Sequence, residues 1–217
     1  MSLKKSENTF VLGIFLAVIA LIAAALLGYF ANLTKQPIEA AQLKATNESL
    51  KAVLPAFETT KIYEVDGIKY YGAFDKDNKL VGVAAEGKTK GYAGDITAIV
   101  GLKLDGTINA VIITKQTETP GLGTNACERK FSKTLASVIK GEKAADGLAP
   151  NRVLDFYSGK KCDNGAFTVK KDGGSAEYIT GATVTSRAVA KLVSEINMNF
   201  LKNQTVIFEN LNSEEAK

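Results

Sequence analysis

Between Phe10 and Ala31 the chain reads FVLGIFLAVIALIAAALLGYFA, 22 residues without a charged or amide side chain. As a helix such a run is ~33 Å long, one bilayer core, and its apolar residues fall on every side rather than along one stripe. The pattern predicts a transmembrane helix over residues 10–33, after a short cytoplasmic N-terminus at 1–9. A cleaved signal peptide is the rival reading, although its apolar core usually spans only ~7–15 residues. Lys4 and Lys5 precede the run, while Lys35 and Lys44 follow it, partly offset by Glu39. This balance favours a single-pass protein of the plasma (inner) membrane, with the rest of the chain on the extracytoplasmic, periplasmic side.

Beyond the apolar run, Ile38, Leu43, Leu50, Val53 and Leu54 recur at loosely helical spacing. Pro37 suits a first turn and Pro55 an end, so residues 34–57 read as a juxtamembrane helix. From about Thr60 to Thr117 the period falls to two. Strands are expected near Ile62–Val65, Tyr70–Phe74 and Leu80–Ala85. Two further β-rich runs in GDITAIVGLKLDGTINAVIITK flank Asp105-Gly106, a hairpin signal. Helical spacing returns over residues 125–140, with Phe131, Leu135, Val138 and Ile139 on one side. GAFTVKKDGGSAEYIT then reads as strand and turn before a last helix striped by Val189, Leu192, Val193, Ile196 and Phe200. Residues 206–217 look like a solvated tail. The order of elements predicts an α+β domain over 58–205, an antiparallel sheet with flanking helices.

Composition removes several chemistries. The net charge of +4 over 217 residues is spread along the chain, which argues against nucleic-acid binding. Histidine is absent, excluding His general bases, Ser-His and Cys-His nucleophiles and His-bound zinc. Cys127 and Cys162 form no CxxC and cannot build a four-ligand metal site. A disulfide between them and two free buried thiols both remain open. The residues indicate no metal site and no complete catalytic constellation.

EYITGATVTSRAV, residues 177–189, crowds hydroxyls just before the last helix. Thr183, Thr185 or Ser186 could each cap that helix, leaving the others without that task. Ordinary capping with surface hydroxyls is one reading. An anion site is the other, because a helix start presents unpaired N–H groups and partial positive charge. Gly181 and Ala182 would let a phosphate approach the backbone, and Arg187 could add charge. Neither a Walker A motif nor a GxGxxG fingerprint is present.

Thr180-Gly181-Ala182-Thr183 matches the [Ser/Thr]-Gly-Ala-Thr motif of flavinylated FMN-binding domains. These domains occur in the G subunit of Rnf electron-transport complexes and in the C subunit of sodium-translocating NADH:quinone reductases. GYAGDITAIVGLKLDGTINAVIITKQTETPGLG, residues 91–123, resembles the same family's second signature. The resemblance runs from the membrane helix to about residue 200. It implies FMN bound covalently by a phosphoester to Thr183 and installed by a separate, magnesium-dependent flavin transferase that uses FAD. Glu177 stands where the family most often has Asp in the flavinylation motif. Thr180, Gly181 and Ala182 would belong to the cofactor site, with Thr185 and Ser186 as candidate caps and phosphate contacts. Glu118, Thr119, Leu122 and Gly123 would line the flavin ring, and Tyr92 and Tyr178 are candidates to stack on it.

The resemblance also implies an electron-transfer component rather than a complete enzyme. Its complex would couple ferredoxin/NAD electron transfer to sodium or proton translocation, with other membrane subunits as partners. The C subunit of the quinone reductase is the alternative within this chemistry. A membrane-anchored binding protein without flavin is the alternative outside it.

Overall fold

The computed structural model describes residues 9–130 and 147–212. The chain forms two compact units, Met1–Ala45 and Thr46–Lys217. Helix α1 spans Thr9–Val53. Its most apolar window in the first unit has no buried residue and a mean hydropathy of 2.9. It is long and apolar enough to cross a membrane. Where the sequence suggested two helices, α1 continues through Pro37. Just before it, Thr34 donates its hydroxyl to the carbonyls of Phe30 and Ala31 at 2.8 and 3.3 Å. The helix runs on although Pro37 has no N–H to offer the Leu33 carbonyl.

The second unit is built on strands β1 (Thr59–Val65), β2 (Ile68–Phe74), β3 (Leu80–Lys90), β4 (Asp95–Leu102) and β5 (Ile108–Lys115). They form one five-stranded antiparallel sheet in chain order. The β4–β5 connection is the expected hairpin: Gly106 has φ +86°, and Asp105 Oδ1 accepts the Thr107 N–H at 2.9 Å. Alternation along the strands sends neighbouring residues to opposite faces. Tyr70, Ala85, Ile96, Ala98 and Val100 join the larger core, whereas Tyr71, Ala84 and Ile99 join the smaller. Short helices α2 (Thr124–Cys127) and α3 (Arg152–Asp155) follow the sheet, and the long helix α4 occupies Thr183–Asn212. The α4 stripe of Val189, Leu192, Val193, Ile196 and Phe200 closes the larger core. Burial of each large side chain there contributes about 1.5–3 kcal/mol.

Three further sequence expectations change. The helix expected over 125–140 is helical only as α2; Glu128 is already extended at φ −96°, ψ 136°, and residues 131–140 lie outside those described. The Asn151 amide takes the carbonyls of Asn125 and Glu128 at 3.1 and 2.7 Å, acceptors that a continuing helix would use. Residues 206–212, read as tail, extend α4, where Ile207 and Leu211 are fully buried. They continue the stripe at helical intervals beyond Phe200, hidden in sequence by polar neighbours. The segment before α4 holds only a 3-10 turn at Lys170–Asp172 and an isolated Val169–Ala176 bridge. Cys127 and Cys162 are buried free thiols, and burial pushes the Cys127 thiol up to about 12.

The smaller core brings Leu50, Val53 and Leu54 onto Tyr71, Ala73, Ala84 and Ile99. The Val53 carbonyl accepts from Asn109 Nδ2 at 2.7 Å, and a Cβ on Gly101 would lie 2.1 Å from the same oxygen. Only glycine at 101 admits this approach. Gly101→Ala should lower stability by about 1–3 kcal/mol, as overpacking does elsewhere, measured by urea unfolding in detergent followed by circular dichroism. An unchanged midpoint would contradict the contact.

Candidate cofactor site

Two turns built alike meet at the start of α4. In Thr119-Pro120-Gly121-Leu122, the Leu122 N–H reaches the Thr119 carbonyl at 3.2 Å and Gly121 has φ +76°. In Ile179-Thr180-Gly181-Ala182, the Ala182 N–H reaches the Ile179 carbonyl at 2.9 Å and Gly181 has φ +84°. Proline presets the second position of the first turn, and glycine supplies the left-handed third position in both. The turns face one another: a Cβ on Gly181 would lie 3.3 Å from a Leu122 methyl. Thr119, Leu122, Thr180 and Gly181 are exposed here, Ala182 is buried, and Thr183 is half-buried.

Behind the turns lies the carboxylate of Glu118, 4% exposed. Its Oε1 accepts the N–H groups of Tyr92 and Ala93 at 2.8 and 3.2 Å, and its Oε2 accepts the Thr185 hydroxyl at 2.6 Å. A Cβ on Gly91 would sit 2.2 Å from Oε1, and one on Gly123 2.7 Å from Oε2. The glycines leave room for this acceptor. The structure therefore turns Glu118, Gly123 and Thr185 inward, to the frame of the site rather than its open face. Ser186 is inward too: its hydroxyl accepts from Ile179 N at 3.1 Å and donates to Ala182 O at 2.9 Å. Neither Thr185 nor Ser186 acts as the cap that their positions suggested.

Thr183 is the first residue of α4, and the first backbone bond into the helix runs from Ser186 N to Ala182 O at 3.0 Å. Among the described residues, the N–H groups of Thr183, Val184 and Thr185 have no acceptor. The side chains of Leu122, Val184 and Tyr92 are 46, 47 and 71% exposed beside these turns, and Tyr178 is partly buried. Cavities of about 520, 390 and 330 Å³ include no residue of either turn, and the smallest is lined in part by Asp172 and Arg187.

Charged side chains, largely unanticipated from sequence, flank the motif that ends at Thr183. Glu177 pairs with Lys170 and, at 3.4 Å, with Arg152; the Lys170 bond chiefly holds its carboxyl below the usual range. Arg187, a candidate to add charge beside the phosphate, is engaged by Asp172 through two bonds of 2.7 and 2.6 Å. Lys171 Nζ lies 3.4 Å from Thr183 Oγ1. Only the Lys-Lys-Asp-Gly-Gly composition hinted at these charges, as a turn without periodic signal.

Thr185→Val should leave Glu118 Oε2 without its hydroxyl donor and lower stability by about 1–3 kcal/mol. Thr183→Val, at a half-exposed position, should change it by less than about 0.5 kcal/mol. Paired urea titrations measure both, and equal small effects would rule out the inward coupling.

The FMN-binding domain family matches residues 91–196, a span containing both turns. The G subunit of the proton-translocating ferredoxin:NAD(+) oxidoreductase complex of Clostridium ljungdahlii is 31% identical over 157 residues, covering 71% of each chain. The G subunit of the Na(+)-translocating ferredoxin:NAD(+) oxidoreductase complex of Acetobacterium woodii is 29% identical over 206 residues, 88% of this chain and 89% of its own. The G subunit of the ion-translocating oxidoreductase complex of Pasteurella multocida is 31% identical over 201 residues, 87% of this chain and 91% of its own. Among solved structures, Shewanella oneidensis NqrC aligns with 72% of this chain and 73% of its own, at 19% identity and a TM-score of 0.43. The chain belongs to the family of G subunits of ion-translocating oxidoreductase complexes.

Proposed function

We propose that this chain is the FMN-bearing electron-transfer component of an Rnf-type membrane complex, with the flavin joined through its phosphate to Thr183. The observation that carries the attachment point is the Thr183 hydroxyl: half-exposed, on the first helical residue, beside unpaired N–H groups and 3.4 Å from an ammonium. The local chemistry fits a phosphate. Aligned amides and partial positive charge at a helix start favour an anion, and Gly181 leaves the approach open. Exposed Leu122, Val184 and Tyr92 offer apolar surface to a flat ring.

When bound, FMN supplies the redox chemistry, accepting and releasing electrons. The chain's own contribution is to hold and orient. The start of α4 and Lys171 would receive the phosphate, Glu118 would fix the spacing of the two turns, and Leu122 would limit water on one side of the ring. A threonine hydroxyl is a weak nucleophile without a neighbouring base, and the absence of histidine fits activation by a separate flavin transferase acting on FAD. Helix α1 would anchor the protein in the membrane beside its partner subunits. Lys4 and Lys5 favour a cytoplasmic N-terminus, with the unit from Thr46 onward outside. The relatives' names divide between proton and sodium as the translocated ion, and both remain within this proposal.

Co-expression with a flavin transferase, followed by denaturing electrophoresis under ultraviolet light, tests the linkage. A fluorescent band in the wild type that vanishes in Thr183→Ala is expected. A dark wild-type band, or fluorescence persisting in Thr183→Ala, would favour the flavin-free binding protein or another attachment residue. Orientation is checked with a C-terminal epitope in intact spheroplasts. External protease should remove it, and protection until lysis would reverse the topology.

A further inference from the structure

Four cations lie on the segments next to the Thr180–Thr183 motif, and three of them are engaged in ion pairs. Lys170 and Arg152 both meet Glu177, and Arg187 is held by Asp172. Lys171 has no carboxylate within ion-pair distance among the described residues, and its Nζ instead meets Thr183 Oγ1 at 3.4 Å. The backbone beneath Lys171 is fixed on both sides. Lys170 N donates to Ala176 O at 2.8 Å, Asp172 N to Val169 O at 2.9 Å, and Ala176 N to Thr168 O at 2.9 Å. Asp172 then ties the turn to α4 through Arg187, one helical turn beyond Thr183. Two ion pairs thus hold the Lys170–Asp172 turn in place, and its middle ammonium meets a hydroxyl rather than a carboxylate.

We infer that Lys171 is the charge partner of the phosphate carried on Thr183, balancing its single negative charge and accelerating its attachment. The inference rests on the phosphothreonyl reading above. In the attachment step the Thr183 oxygen forms a bond to the phosphorus on the FMN side of FAD. The bond from that phosphorus to the bridging oxygen breaks, AMP leaves, and the threonine proton passes to a base on the transferase. Nothing is oxidised or reduced. Negative charge gathers on the transferring phosphoryl oxygens, next to Thr183 Oγ1, and an ammonium fixed there stabilises them through charge-assisted hydrogen bonds. An exposed contact is screened by salt, so its influence is ionic-strength dependent.

The experiment uses the full-length chain in detergent with a flavin transferase, magnesium and FAD, and follows the initial rate of covalent flavin incorporation at low and high salt. Lys171→Ala should slow incorporation about threefold to tenfold at low salt, and Lys171→Glu more. Lys171→Arg should restore most of the rate, and the wild-type rate should fall more steeply with salt than that of Lys171→Ala. Thermal melts of the flavin-free variants should match wild type. Wild-type rates in Lys171→Ala and Lys171→Glu would overturn the inference, as would failure of Lys171→Arg to rescue. Those results leave the phosphothreonyl reading intact as long as wild type loads and Thr183→Ala does not. Failure of the wild type to load, with a transferase active on a control substrate, would remove both.

Discussion

The arrangement at the head of α4 depends on one buried acceptor, Glu118. A carboxylate withdrawn from water is costly unless donors replace its solvation. Here two backbone N–H groups come from the turn joining β3 to β4, and a hydroxyl comes from α4. Three segments far apart in the chain are thereby held at hydrogen-bond distance. Glycines at 91 and 123 keep side chains out of the space the carboxylate fills. The facing turns at Thr119–Leu122 and Ile179–Ala182 owe their separation to this contact, because each is joined to a residue that Glu118 binds or to Glu118 itself.

Elements governed by short-range pattern were legible in the sequence. Alternation in β4 and β5, the Asp105-Gly106 turn and the α4 stripe from Val189 to Phe200 all appear where periodicity and turn chemistry put them. The motif around Thr183 was legible as well, since its position at a helix start follows from local order. The direction of each hydroxyl was not. Thr185 turns inward because of Glu118, 67 residues earlier, and nothing within the motif reports that partner. Ser186 is engaged by the backbone of Ile179 and Ala182, a consequence of the Gly181 turn rather than of helix capping. Lys171 was missed for the same reason. Its relation to Thr183 exists only once the Val169–Ala176 bridge folds the preceding segment back.

The ion pairs near the site do positional work. Exposed pairs of this kind contribute little to stability, typically about 0–1 kcal/mol. Arg187 with Asp172, and Glu177 with Lys170 and Arg152, instead fix the outline of a segment with little regular structure. The FMN-binding domain match spans residues 91–196 and therefore includes Tyr92, Glu118, Thr185 and these ion pairs.

Helix α1 has no break between its apolar run and Val53, yet the second compact unit begins at Thr46, inside it. Leu50 and Val53 belong to the smaller core, and the Val53 carbonyl is an acceptor for the sheet. A soluble fragment cut after the helix, at Thr59 where β1 begins, would therefore expose Tyr71, Ala84 and Ile99 and aggregate through that apolar face. Cut at Thr46, the same fragment keeps its own lid. Secondary-structure ends and folding-unit ends are different borders here, and one helix holds both an apolar run that ends at Ala31 and a last turn, Leu50 to Val53, that packs on the sheet.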